Sequence, residues 1–170
     1  MAEEIGESLV GSYLRLIKGC EIVTYNQRLS KEPNEMGETD VLAIDLETKT
    51  IYLCEVVTHI LGMVYGSGTE ATLSRVRRKF QRLTEYGRRA FPTHERIYML
   101  WSPYVPVGKV TTGLQQLIDD LAEAGDSLEL QINQEYTRRV GELQERARLD
   151  TKNYGEPFFR ALQIIEHLRR

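Results

Sequence analysis

Residues 37–59 read GETDVLAIDLETKTIYLCEVVTH. Two runs rich in apolar and β-branched residues, 38–46 and 49–58, flank Glu47-Thr48, and this spacing predicts an antiparallel hairpin. Glu-Thr is not a preferred pair for a two-residue primed turn, so the loop itself stays open. With a two-residue loop Leu46 pairs with Lys49, and counting outward places Asp40 directly opposite Glu55. Directly opposed side chains on one sheet face have Cβ atoms about 4.5–5.5 Å apart. Two carboxylates at about 5 Å repel by about 3 kcal/mol at an effective dielectric near 20. A divalent cation, or a raised pKa on one acid, would compensate. A loop one residue longer would take the acids out of register.

Glu55 interrupts the apolar run Ile51–Val57, which reads as buried on both faces, and a lone carboxylate there is costly unless partnered. The competing reading puts Glu55 at a solvated strand end or against an arginine of the downstream basic helix. Upstream, residues 3–18 carry Ile5, Leu9, Val10, Tyr13, Leu14 and Ile17 at helical spacing, with Gly19 as the stop. Glu7 lies in line with Val10 and Leu14 at the border of that stripe. It either points inward as a third carboxylate or stays solvated with Glu3 and Glu4.

Working outward, the chain alternates as one α/β unit. Residues 21–27 are strand-like, and 29–37 form a polar loop with Pro33 and Gly37. Gly62, Gly66 and Gly68 lead into a helix at about 72–90, followed by a strand at 96–101 and a helix at 112–124. A strand at 128–132, a polar helix near 134–149 and a last amphipathic helix, FFRALQIIEHL, complete the pattern. With 170 residues and no repeat or long linker, the expectation is a single domain, 1–170.

Composition narrows the function classes. No apolar run approaches the roughly 18–20 residues of a membrane span, and the opening MAEEIGESLV carries acids where a secretory signal is basic. Cys20 and Cys54 cannot build a disulfide framework, and no Cys/His spacing fits zinc. These features point to a soluble, cytoplasmic chain with no membrane partner. The net charge is −3, yet between Arg75 and Arg96 eight arginines and lysines face only Glu85 and Glu95, a local +6 that leaves −9 elsewhere. Such a stripe either meets a polyanion or is simply a solvated helix face.

Gly37-Glu-Thr-Asp40, a hairpin, and Cys54-Glu-Val-Val-Thr58 together resemble the core of the PD-(D/E)XK nuclease superfamily. The nearest look is to its Holliday-junction-resolvase-like and YraN-like branches. The likeness extends to the order helix, strand, hairpin, helix, strand, and so covers roughly residues 5–102. It implies a restriction-endonuclease-like three-layer α/β core, a mixed β-sheet of about five strands flanked by helices, with residues 103–170 packing on as additional helices and a strand. It further implies a Mg²⁺ or Mn²⁺ ion held by Glu7, Asp40, Glu55 and the carbonyl of Val56, and hydrolysis of nucleic-acid phosphodiesters. Oxygen-only ligation is what a hard divalent ion takes.

One departure matters. The family's lysine would stand at position 57, which is Val57 here, and valine can neither orient water nor offset charge on phosphate. Three explanations follow. Lys79, at the edge of the apolar stripe Leu73, Val76, Phe80 and Leu83, can supply the cation from the next helix, with Tyr86 along the same edge. His59 can take the base role if its strand extends that far. Or the site has lost cleavage and keeps nucleic-acid binding or a protein partner. The expected catalytic set is Asp40, Glu55 and Lys79, and the expected nucleic-acid contacts are Arg75, Arg78, Lys79 and Arg82, with DNA the expected partner. Three glycines before the basic helix read as a phosphate cradle or as a flexible connector. Trp101 reads as core, and the broad stripe of the last helix as core packing or a homodimer interface.

Overall fold

Among the described residues, 4–30, 37–60 and 62–169 of a computed structural model, ten elements follow one another. They are α1 (Ile5–Leu16), β1 (Ile22–Arg28), β2 (Glu38–Asp45), β3 (Thr50–Val56), α2 (Thr69–Ala90), β4 (Glu95–Ser102), α3 (Lys109–Glu123), β5 (Ser127–Ile132), α4 (Gln134–Leu149) and α5 (Pro157–Leu168). Residues 31–36 of the expected polar loop, Pro33 included, lie outside the described residues, as does Glu3.

The hairpin forms in the expected register around a different turn. Asp45 pairs with Thr50, Ile44 with Ile51, and so on to Val41 with Cys54. The turn spans four residues, Leu46 to Lys49, in place of Glu47-Thr48. Asp45 Oδ1 accepts the N–H groups of Glu47 (2.9 Å) and Thr48 (3.0 Å), and Lys49 takes a φ of +55°. The aspartate side chain thus organises the reversal that a primed turn would leave to Asn-Gly.

The strands line up in the order β1-β2-β3-β4-β5. The first three are antiparallel, and β3, β4 and β5 run parallel, joined by α2 and α3 as crossovers. Side chains alternate between faces with period two. Leu42, Ile51, Leu53, Tyr98 and Leu100 face α2 and α3. Val41, Ala43, Tyr52, Cys54, Met99 and Trp101 face α1, α4 and α5. The result is a three-layer α/β fold around a mixed five-stranded sheet. Trp101 is fully buried, with Tyr13 edge-on at 5.2 Å.

Two contacts fix α1, and with it the site. A Cβ added at Gly6 would stand 2.0 Å from Thr58 Cγ2, so only glycine lets the first turn of α1 abut the chain leaving β3. The buried Glu156, at the N-cap of α5, accepts Arg15 Nε at 2.6 Å and the Tyr25 hydroxyl at 2.8 Å, joining α5, α1 and β1. In α5, Phe159 and Leu162 are core, whereas Ile164, Ile165 and Leu168 are exposed. No helix among the described residues is long and apolar enough to cross a membrane.

Candidate active site

The backbone ladder between β2 and β3 stops at Val41 and Cys54, and side chains take over. Thr39 Oγ1 donates to the Cys54 carbonyl at 3.1 Å, and Asp40 Oδ2 accepts the Val56 N–H at 2.6 Å. Asp40 shares its parity along β2 with Leu42 and Ile44, and Glu55 shares its own along β3 with Ile51 and Leu53, so both acids lie on the α2 face. Glu55 is 1% exposed. From α2, Lys79 forms an ion pair with Glu55 through Nζ and Oε2.

Glu7 reaches this end of the sheet from α1 and is buried. Its Oε2 accepts the Asn26 amide at 3.0 Å and the Glu4 N–H at 3.1 Å. Asn26 stands between the Tyr25–Val41 and Gln27–Thr39 pairs, opposite Asp40, and its φ of +52° breaks the β1 ladder at that point. Left-handed backbone is strained for most residues and is least so for asparagine, and strain of this kind gathers at functional sites. Asn26 was not among the sequence candidates. Its only signal is a residue type that tolerates such a φ inside an otherwise extended run.

Charge ties the cluster together. Burial pushes the Glu55 carboxyl up to about 7, and the Asp40 charge adds to the rise while Lys79 opposes it. Burial also raises Asp40, against the Val56 amide and Lys79, with the charges of Glu7 and Glu38 adding to the rise. Burial pulls Lys79 down, but the charge and hydrogen bond of Glu55 outweigh it, and Lys79 stays an ammonium. Because Glu55 binds its proton more tightly folded than unfolded, its contribution to stability is present below about pH 4.5 and is lost as pH rises through about 7. Thermal melts of the metal-free chain should therefore show Glu55→Gln gaining stability relative to wild type from pH 5 to pH 8. A difference that stays flat with pH would remove Glu55 as the titrating group.

Other candidates are sorted by the fold. Val57 is buried in the α2-face core, so the expected lysine position is filled by packing. His59 lies beyond the end of β3 and is exposed, so the strand does not carry it to the acids; it meets the Tyr65 ring edge-on at 6.2 Å. Tyr86 packs on the core and on Phe91 (6.1 Å). The basic stripe divides. Arg88 and Arg96 pair with the buried Asp126 at 2.5 and 3.5 Å, and Arg89 donates to the Leu29 carbonyl, so these three are structural. Arg75, Arg77, Arg78 and Arg82 are exposed on the stretch of α2 that also carries Lys79.

Among the described residues no group of three or more His, Cys, Asp or Glu side chains is gathered to hold a metal. Glu7 is turned to Asn26, and Lys79 occupies Glu55. Asp40 and Glu55 nevertheless share one sheet face, the Asp40 charge raises Glu55 and the Glu7 charge raises Asp40, and carboxylate oxygens are the chemistry a hard divalent ion takes. No protein-family model, curated protein or solved structure matches the chain.

Proposed function

We propose that the chain is a metal-dependent nuclease of the PD-(D/E)XK type that hydrolyses DNA phosphodiesters at the Asp40–Glu55–Lys79 cluster. The observation that carries this reading is the Lys79–Glu55 ion pair, which brings a cation from α2 to the acids in place of the lysine missing at Val57. Asp40 and Glu55, with Glu7 and the Val56 carbonyl, would hold Mg²⁺ or Mn²⁺. The ion would lower the pKa of a bound water and draw charge from the phosphate. Lys79, protonated, holds and orients that water or a phosphate oxygen and serves as an electrostatic stabiliser, not as a base. The exposed arginines at 75, 78 and 82 meet the phosphate backbone. Two buried, unlinked cysteines fit a cytoplasmic setting.

A second reading keeps the fold and DNA binding without turnover, and the engagement of Glu7 by Asn26 and of Glu55 by Lys79 favours it. Labelled duplex, single-stranded and branched DNA incubated with Mn²⁺ separates the two, since cutting of any of them sinks the second. Replacing Arg75, Arg78 and Arg82 with glutamine should weaken DNA binding and flatten the slope of log affinity against log salt, by about 0.9 for each duplex phosphate no longer neutralised. An unchanged slope would mean that this part of α2 is only solvated.

A further inference from the structure

The loop between β3 and α2 sets an aromatic ring against Arg75, one helical turn before the Lys79 that pairs with Glu55. Thr72 Oγ1, buried in the first turn of α2, accepts the Tyr65 N–H at 2.9 Å and lies 3.0 Å from the Gly68 carbonyl. Gly66 and Gly68, with φ of +64° and +140°, let the chain double back there. The Arg75 guanidinium stacks on the Tyr65 ring at 4.3 Å from its centroid, and His59 meets the ring edge-on. The ring is therefore held by the loop, by α2 and by the chain leaving β3. Its hydroxyl makes no hydrogen bond among the described residues. Burial first, then the charges of Lys79, Arg75, Glu55 and Asp40, act on that hydroxyl, whose net shift is upward, so it stays a neutral donor.

We infer that Tyr65 is a further catalytic residue, its hydroxyl donating a hydrogen bond to a non-bridging oxygen of the phosphate bound at Asp40 and Glu55, with Arg75 holding the ring and adding positive charge. This rests on the phosphodiesterase reading above. A restrained neutral donor beside a stacked guanidinium is suited to an oxygen that gains charge as five-coordinate phosphorus forms. The phenol keeps its proton throughout. Water oxygen forms the new bond to phosphorus, the ester P–O bond breaks, and one proton of the water reaches the leaving oxygen through solvent. Lys79 and Tyr65 then serve different oxygens, one by charge and one by direction.

Tyr65→Phe keeps the ring, its Arg75 stack and its His59 contact, and removes only the donor. With Mn²⁺ and a DNA that wild type cuts, its single-turnover rate at saturating DNA should fall about 10- to 100-fold. Affinity for the same DNA in Ca²⁺ should fall by a far smaller factor than the rate, and the melting temperature should stay at the wild-type value. Wild type should discriminate between the two phosphorothioate diastereomers at the cut site, and the variant should lose part of that discrimination, which a purely structural tyrosine would not affect. Arg75→Met, on an exposed position of α2, provides a second test, with a smaller fall in rate. Equal rates and equal discrimination for Tyr65→Phe and wild type would overturn this inference and leave the nuclease reading standing. A wild-type protein that leaves every DNA uncut would overturn both.

Discussion

Asp40→Asn is expected to reduce Mn²⁺-dependent cleavage by at least about 10³-fold and to abolish tight divalent-ion binding, because a formal charge and a metal oxygen leave together. Asparagine is the informative replacement. Asp40 also accepts the Val56 N–H, and Asp40→Ala would orphan that donor at a cost of about 1–3 kcal/mol, mixing stability into the result. Asn can keep the acceptor through its amide oxygen. Removing the Asp40 charge also removes one of the causes that raise Glu55, so the carboxyl of Glu55 should titrate lower in the variant. Calorimetry with Mn²⁺ alone, next to cleavage assays and melts, separates the effects. Undiminished Mn²⁺ affinity in Asp40→Asn would place the metal elsewhere.

Lys79→Met carries the second large effect. Methionine keeps most of the apolar stem and discards the ammonium, so cleavage should fall about 10²- to 10³-fold while α2 stays docked. Metal binding should persist, since the cation now occupying Glu55 is gone. The pH dependence should move as well: Lys79 is a cause that lowers the Glu55 pKa, and without it the carboxyl titrates higher, shifting the alkaline rise of Mn²⁺ affinity upward. Val57→Lys is a demanding rescue. Position 57 is buried among apolar side chains, so the variant must bury a second cation beside Lys79, and partial rescue is best sought in the Lys79→Met background. Wild-type rates in Lys79→Met would show that the displaced lysine is not a stabiliser.

The hairpin register was legible because extending the loop by one residue on each side leaves the pairing unchanged: Glu47-Thr48 and the observed Leu46–Lys49 turn both set Val41 against Cys54. What was not legible was the turn chemistry, carried by Asp45 from within the strand. Lys79 could be read from helical phase, since a residue bordering the buried stripe can run its stem over apolar surface to a charge beneath. Asn26 was hidden because a single left-handed residue leaves no mark in a strand pattern. The division of the basic stripe was not legible for a different reason. Arg88 and Arg96 find Asp126, 38 positions beyond Arg88, and such a pairing exists only once β4 and β5 lie side by side.

The placement of Lys79 on a crossover helix bears on the order of assembly. Asp40 and Glu55 belong to a local hairpin, which closes with little loop entropy and, before anything covers it, leaves both acids hydrated. In the fold α2 covers the face that carries Glu55, and α2 carries Lys79. In the folded chain the helix that covers the acid also carries its counter-charge. A lysine on the strand itself would have to be buried beside the acid by some other element, whereas here one docking helix supplies both the cover and the partner.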